Sequence, residues 1–376
     1  MLENLLSGSA LYRVVSVVAL AFSPVIYLAN ASRSATAFPP VDIAGLNGIT
    51  ITDFHCQSAG DCVAIGRAAP RNEAESEVVM NLRGTTWKLQ RVPSTRLSRL
   101  SCVTQNHCMA VGWTRKTGQS GPLFDSYWFD GTRWSSFASP TGKELSSPWP
   151  SVTCVAERHC FVSGAITLNA SIKVNGIWIN GKTYVAELNG AKWSIATTGG
   201  VNVAGTTSMS TSINAIHCSG IKSSSCIWAG QSYVRDARKL WHSAATTGTI
   251  ANLQAKAKFA PSATAQSLSV INDLDCMASE VCFGVGSIGT MQAVWRFQRG
   301  AWVLLSGPDV TGDLANIQCS LDSCIATHDG HSVSISTTSW QVASIPPEWI
   351  WAPNLPFGVD YGMYAEAHLI SPLSNL

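Results

Sequence analysis

The chain reads as an all-β protein: a six-bladed β-propeller of four-stranded blades, each closed by its own disulfide. Three observations carry that reading. The twelve cysteines fall into six pairs with near-constant internal spacing. Each pair sits in the same local sequence. The first cysteines of successive pairs lie 46, 52, 64, 58 and 43 residues apart, close to the length of one propeller blade.

The pairs are Cys56/Cys62, Cys102/Cys108, Cys154/Cys160, Cys218/Cys226, Cys276/Cys282 and Cys319/Cys324. The second unit shows the pattern most fully: LSRLSCVTQNHCMAVGWT, then FDSYWFDGTRWSSFASP. Strand A ends at the first cysteine (Leu100–Cys102). Strand B starts at the second (Cys108–Trp113). Strand C precedes the glycine (Ser126–Phe129), and strand D carries the tryptophan (Arg133–Phe137). Alternating apolar residues, β-branched and aromatic enrichment and Gly or Asn-Gly turns support strands. No stretch of the body keeps a helical period. A β-helix has much shorter repeats, and stacked sandwiches do not need six equivalent hairpins. The blade count has one alternative: residues 38–50, or the tail after Trp340, supply the strands of a seventh blade or close the ring.

Cysteines at the ends of adjacent antiparallel strands lie at a separation that a disulfide can bridge. The expected pairing is therefore local, within each blade. Closing so short a loop contributes roughly 2 kcal/mol per bridge in the chain-entropy model. Zinc is the competing use, but it needs two pairs brought together, and six pairs spread around a ring do not converge. Thiols paired at this density point to an oxidising compartment.

Residues 1–37 carry one arginine ahead of an apolar run, Val14–Ala29, interrupted by Pro24 and followed by small-x-small sites. A cleaved signal peptide fits this segment. A retained membrane anchor is the second reading, although a span needs about 20 apolar residues. A misplaced start is the third. The expected layout is leader or tether at 1–37, propeller at 38–346 and an irregular aromatic, proline-containing arm at 347–376, in a secreted or surface-tethered monomer. Only 13% of residues are charged, about half the usual share. The net charge of +2 gives no general attraction to nucleic acid.

The C–D turns share a Gly-x-x-Trp core: Arg83-Gly84-Thr85-Thr86-Trp87, Asp130-Gly131-Thr132-Arg133-Trp134 and Asn189-Gly190-Ala191-Lys192-Trp193, with Gly300-Ala301-Trp302 one residue shorter. This resembles a degenerate Asp-box, the hairpin of sialidase-type propellers, although only Asp130 approaches the box's aspartate and its spacing is off. Together with Cys-x5-Cys-x-Ala-Val-Gly it also resembles the cysteine-repeat propellers of secreted bacterial proteins. The resemblance implies that the glycine makes the turn and the tryptophan packs beneath it. It speaks to fold and not to activity.

All six A–B hairpins and the C–D turns share one face. By resemblance to propellers generally, a ligand is met on the opposite face or in the central channel. The B–C loops of that opposite face hold Arg67, Arg71, Trp113, Arg115, Lys116, Lys173, Trp178, Tyr233, Arg235 and Arg238. Aromatic rings with Arg or Lys suit sugars, carboxylates or anionic polymers. The expected function is a binding or scaffold module for an extracellular glycan, cell-wall polymer or protein. The alternative is a carbohydrate-active enzyme, a sialidase-like glycoside hydrolase or a lyase, and hydrolysis requires two carboxylates, or the sialidase tyrosine variant, at fixed separation. Glu73, Glu75, Asp125, Glu144 and Asp236 are the candidates, and nothing pairs any two of them.

His55, His107, His159 and His217 adjoin cysteines and read as exposed turn residues. His328-Asp329-Gly330-His331 reads as a tight turn. Asn169 is a glycosylation sequon in a loop. No cofactor and no metal is expected, since phosphate-binding, nucleophile-elbow, HExxH, haem and flavin signatures are all lacking.

Overall fold

In a computed structural model, the described residues lie between 40 and 343. Several connections between strands fall outside them, among them 42–45, 71–75, 115–122, 138–149, 167–171, 200–206, 236–240 and 262–267. Segments 1–37 and 347–376 and the sequon at Asn169 also lie outside.

Six antiparallel sheets follow one another along the chain, each built from contiguous sequence in A-B-C-D order. Blade two is Thr95–Thr104, His107–Thr114, Leu123–Phe129 and Trp134–Phe137. Its register pairs Cys102 with Cys108 and Phe129 with Trp134. Blade three begins at Ser151–Ala156, blade four at Thr207–Cys218, blade five at Ser269–Ala278 and blade six at Asn316–Cys319. The described residues among 38–50 form no seventh blade. Pro40–Val41 adds a fifth, outermost strand to blade one beside Thr86–Arg91, and Leu46–Ser58 is that blade's strand A. Blade three carries a small hairpin, Ile172–Val174 with Ile177–Ile179, between its strands B and C.

Disulfides join Cys102–Cys108, Cys154–Cys160, Cys218–Cys226, Cys276–Cys282 and Cys319–Cys324. Cys56 lies outside the described side chains, but the same backbone register sets it opposite Cys62. Disulfides in blade after blade place the folded chain in an oxidising environment.

The core lies between blades. One apolar cluster joins blades one and two, and others join two with three, three with four, four with five and five with six. In blades two, three, five and six the strand D tryptophan reaches back to the preceding blade. Trp134 packs with Val63, Ile65 and Val79 of blade one, and Trp302 with Ala229 and Ala245 of blade four. Trp193 meets Phe124 of blade two edge-on, with centroids 6.1 Å apart, the geometry aromatic pairs prefer. The turn glycines Gly131, Gly190 and Gly300 have positive φ, as the Gly-x-x-Trp pattern requires. Asp130 tightens its own turn by accepting the Thr132 and Arg133 N–H groups at 3.0 Å.

Candidate functional site

The inner strands of all six blades enclose one central cavity of about 240 Å³. A β-bulge decides which side chains reach it. In strand A of blades one, two, four and five the register shifts four residues before the first cysteine: Ile51/Asp53, Leu97/Arg99, Ile213/Ala215 and Ile271/Asp273. An unbroken strand sends residues three apart to opposite faces. The extra residue resets the alternation. Leu97 and Leu100 can therefore both enter the core, as do Ile213 with Ile216 and Ile271 with Leu274.

The bulged residue itself ties one blade to the next. Ser98 Oγ donates to Pro150 O at 3.0 Å, Asn214 Nδ2 to Ile271 O at 2.8 Å and Asn272 Nδ2 to Leu314 O at 2.8 Å. The bulge also explains the glycine of the Cys-x-Ala-Val-Gly pattern, four residues after the second cysteine. A Cβ on Gly112, Gly230 or Gly286 would lie 2.0 Å from the carbonyl oxygen of Arg96, Ser212 or Val270.

Two rings of side chains then face the axis. The deeper ring, three residues before each first cysteine, is Asp53, Arg99, Ser151, Ala215, Asp273 and Asn316. The ring at the disulfide mouth, one residue before, is His55, Ser101, Thr153, His217, Asp275 and Gln318. Several of these groups accept backbone N–H groups of the next blade. Asp53 Oδ2 takes Leu100 N–H at 2.7 Å, Ser101 Oγ takes Cys154 N–H at 2.8 Å, and Ser151 Oγ takes Ile216 N–H at 3.2 Å. Asp273 takes Ile317 N–H at 3.0 Å and Asp275 takes Cys319 N–H at 2.7 Å. The ring is thereby stitched from the inside, and buried carboxylates obtain the donors they require.

The channel is crossed in its deeper ring. Arg99 of blade two reaches Asp273 of blade five, opposite it, at 4.0 Å. Burial raises the Asp273 carboxyl above its ordinary range, against the pull of Arg99 and of the Ile317 and Leu274 N–H groups. Asp275 is pushed up to about 7, first by burial and further by the carboxylates of Asp273 and Asp53, against its two backbone hydrogen bonds. His217 Nδ1 lies 3.9 Å from Asp275 Oδ1. Burial holds His217 down at about 4 and also lowers His55, so both imidazoles are neutral at pH 7.

The histidine reading is thus corrected for two of the four. His55 and His217 are inner-strand residues that line the cavity, because the parity set by the bulge turns the residue before the cysteine inward. His107 and His159 do stand at A–B turns, but both are half-buried and not exposed. His107 faces Glu157 of blade three at 3.6 Å, and His159 bonds Glu187 at 2.9 Å.

Of the rim residues predicted to bind ligand, Arg67, Trp113 and Tyr233 are described. Arg71, Arg115, Lys116, Trp178, Arg235 and Arg238 lie outside the described residues or side chains, as do Glu73, Glu75, Glu144 and Asp236. Arg67 and Trp113 each follow the bulge glycine of their blade, and Tyr233 lies further along strand B of blade four. Arg96 already stacks on the Trp113 ring at 5.4 Å, and the Tyr233 hydroxyl meets Gln231 Nε2 at 3.4 Å. Asp125 accepts the Tyr127 hydroxyl at 3.0 Å. Among the described residues, no cluster of three or more His, Cys, Asp or Glu side chains is arranged for a metal ion. No described helix is long and apolar enough to cross a membrane.

No protein family and no curated protein matches the chain. Solved structures align over most of it at low identity. An α-L-arabinanase of Penicillium chrysogenum, complexed with arabinobiose, covers 82% of this chain and 98% of its own at 12% identity, with a TM-score of 0.45. The Aleuria aurantia lectin, a six-bladed β-propeller that recognises fucose, covers 82% and 96% at 10% identity, TM-score 0.38. The Hadza microbial sialidase Hz136 covers 79% and 65% at 10% identity, TM-score 0.39. Overlap this loose carries no functional argument, and the six-bladed propeller stands on its own sheets and the channel they enclose.

Proposed function

We propose that this chain is an extracytoplasmic binding module that takes the terminal residue of an extracellular glycan into the disulfide-end mouth of its channel. The supporting observation is the cavity itself, lined by hydroxyl, carboxamide, carboxylate and imidazole groups from six blades. Such a lining suits a ligand rich in hydroxyl groups. Its volume of about 240 Å³ falls below the roughly 300–1,000 Å³ of pockets that enclose drug-sized ligands. A single sugar ring enters, and the rest of a polymer stays outside. Export by way of residues 1–37 and an aromatic arm at 347–376 complete the proposed layout.

Catalysis is the second reading. Asp273 and Asp275 lie two residues apart on one face of a strand, about 6.6 Å along it, near the separation inverting glycosidases use. Asp275 is also held near neutrality, as a general acid requires. Against this, both carboxylates are engaged in holding blade six. The test is a panel of soluble glycans and cell-wall polymers incubated with the oxidised full chain, with bound and released material read by mass spectrometry. Binding without product supports the module. Product formation that Asp275→Asn abolishes overturns it in favour of the enzyme.

A further inference from the structure

From the acceptor-rich lip of the channel we infer that the ligand residue it receives carries a primary ammonium, an amino sugar with a free amine in place of a neutral sugar. The inference rests on the glycan reading above and specifies its substrate class.

Three consecutive blades place an acceptor at the same position, one residue before the first cysteine: His217 in blade four, Asp275 in blade five and Gln318 in blade six. A primary ammonium has three N–H donors and no acceptor, and these groups match it one for one. His217 is uncharged, so one ring nitrogen accepts. Among the described residues Asp275 accepts only the Cys276 and Cys319 N–H groups, at 2.8 and 2.7 Å, and a carboxylate has about four lone-pair sites. Gln318 lines the same cavity. Its Oε1 has no hydrogen-bond partner among the described residues, an unpaired state that costs an acceptor free energy and that a turn of the carboxamide toward a donor in the mouth removes.

Charge points the same way. The charged and titratable groups around the cavity are Asp53, Asp273, Asp275, Arg99, His55 and His217. With the imidazoles neutral, three carboxyl groups share the cavity with one guanidinium, that of Arg99. Carboxylates confined this way repel one another. A cationic ligand relieves that repulsion, and an anionic one worsens it. Binding an ammonium also draws Asp275 into its ionised form. Affinity therefore rises with pH as that carboxyl loses its proton, passes a maximum once the ligand's own amine begins to lose its proton, and falls in acid, where the carboxyl is neutral and the imidazoles charge.

The experiment titrates the oxidised full chain by calorimetry with glucosamine oligomers, their N-acetylated counterparts, glucose oligomers and ethanolamine, at about pH 5 and about pH 7, where the carboxyl is neutral and ionising respectively and amino-sugar amines still carry protons. The expected result is at least about tenfold preference, or 1.4 kcal/mol, for the free amine over the acetylated oligomer at the higher pH. That preference is lost in Gln318→Leu and in Asp275→Asn, which retains an acceptor for Cys319 N–H. Thermal melts confirm that each variant is folded. Equal binding of acetylated and free-amine oligomers overturns the ammonium inference and leaves the glycan reading standing. Binding of ethanolamine with none of the sugars overturns the glycan reading and keeps the ammonium site. Binding of no probe overturns both.

Discussion

Replacing Gly230 by alanine reverses the sign that unfolded-state entropy alone would give. Gly230 is not among the residues with positive φ, so its backbone conformation is open to alanine. At such a position Gly→Ala normally stabilises by about 0.4–1 kcal/mol, because the unfolded chain loses freedom. Here the new Cβ would meet three backbone atoms of the bulge: Ser212 O at 2.0 Å, Asn214 N at 3.0 Å and Ser212 C at 3.1 Å. Carbon atoms sit comfortably at about 3.5–4.0 Å, and no flexible side chain is there to give way. The strand must open by more than 1 Å, as for an overpacked core at about 1–3 kcal/mol. Asn214 also loses its alignment with Ile271 O, for roughly another 1 kcal/mol. The predicted net cost is about 3 kcal/mol. The control is Gly190→Ala, where φ is +66° and no atom lies within 4 Å, so only the left-handed backbone resists, at about 1–2 kcal/mol. Urea midpoints on oxidised protein, compared at constant slope, decide between them. If Gly230→Ala is stabilising, or costs less than Gly190→Ala, the bulge does not demand glycine and the account of the inner strand is wrong.

Three further outcomes follow from the channel and the staples. Asp275, whose pKa is raised from 3.8 to about 7, contributes stability below pH 4 that is lost as pH rises to 7. His217, lowered from 6.5 to about 4, acts oppositely, its stability being lost as pH falls from 6.5 to 4. Wild type should therefore be nearly flat over this window, and Asp275→Asn should gain stability with rising pH. Melts across the range check this, and parallel curves for the two proteins would refute it. Arg99→Met removes the cation facing Asp273 and should cost about 2 kcal/mol, between exposed and fully buried pairs. A double-mutant cycle with Asp273→Asn should recover most of that, and simple additivity would show that the pair is not coupled. Replacing both Cys154 and Cys160 by alanine should cost about 2 kcal/mol by denaturant unfolding, with no cost if the bridge is dispensable.

The repeat was legible because cysteine pairs and Gly-x-x-Trp turns mark strand ends, and strand ends are set locally. The channel was not. Asp53, Arg99, Asp273 and Asp275 carry no motif, and His55 and His217 look like turn residues until strand A is given its bulge. The signal was present. Leu97 and Leu100, Ile213 and Ile216, and Ile271 and Leu274 are apolar residues three apart in strands, a spacing that an unbroken strand cannot bury. In blades one, two, four and five the glycine four residues after the second cysteine marks the same bulge from the opposite strand. The pairing of Arg99 with Asp273 had no sequence signal, because the two residues lie on opposite sides of a closed ring. The rim residues drew attention by residue type alone, which cannot show that Arg96 already covers Trp113.

The central claim is that ligand enters the disulfide-end mouth and not the opposite rim. The direct measurement is the affinity of one bound glycan for wild type, Gln318→Arg and Trp113→Ala, each shown to be folded. Gln318→Arg sets a guanidinium beside Asp275 and occupies the mouth. It should weaken binding at least about hundredfold, or 2.7 kcal/mol, while Trp113→Ala binds as wild type does. Binding retained in Gln318→Arg and lost in Trp113→Ala would contradict the claim and move the site to the rim.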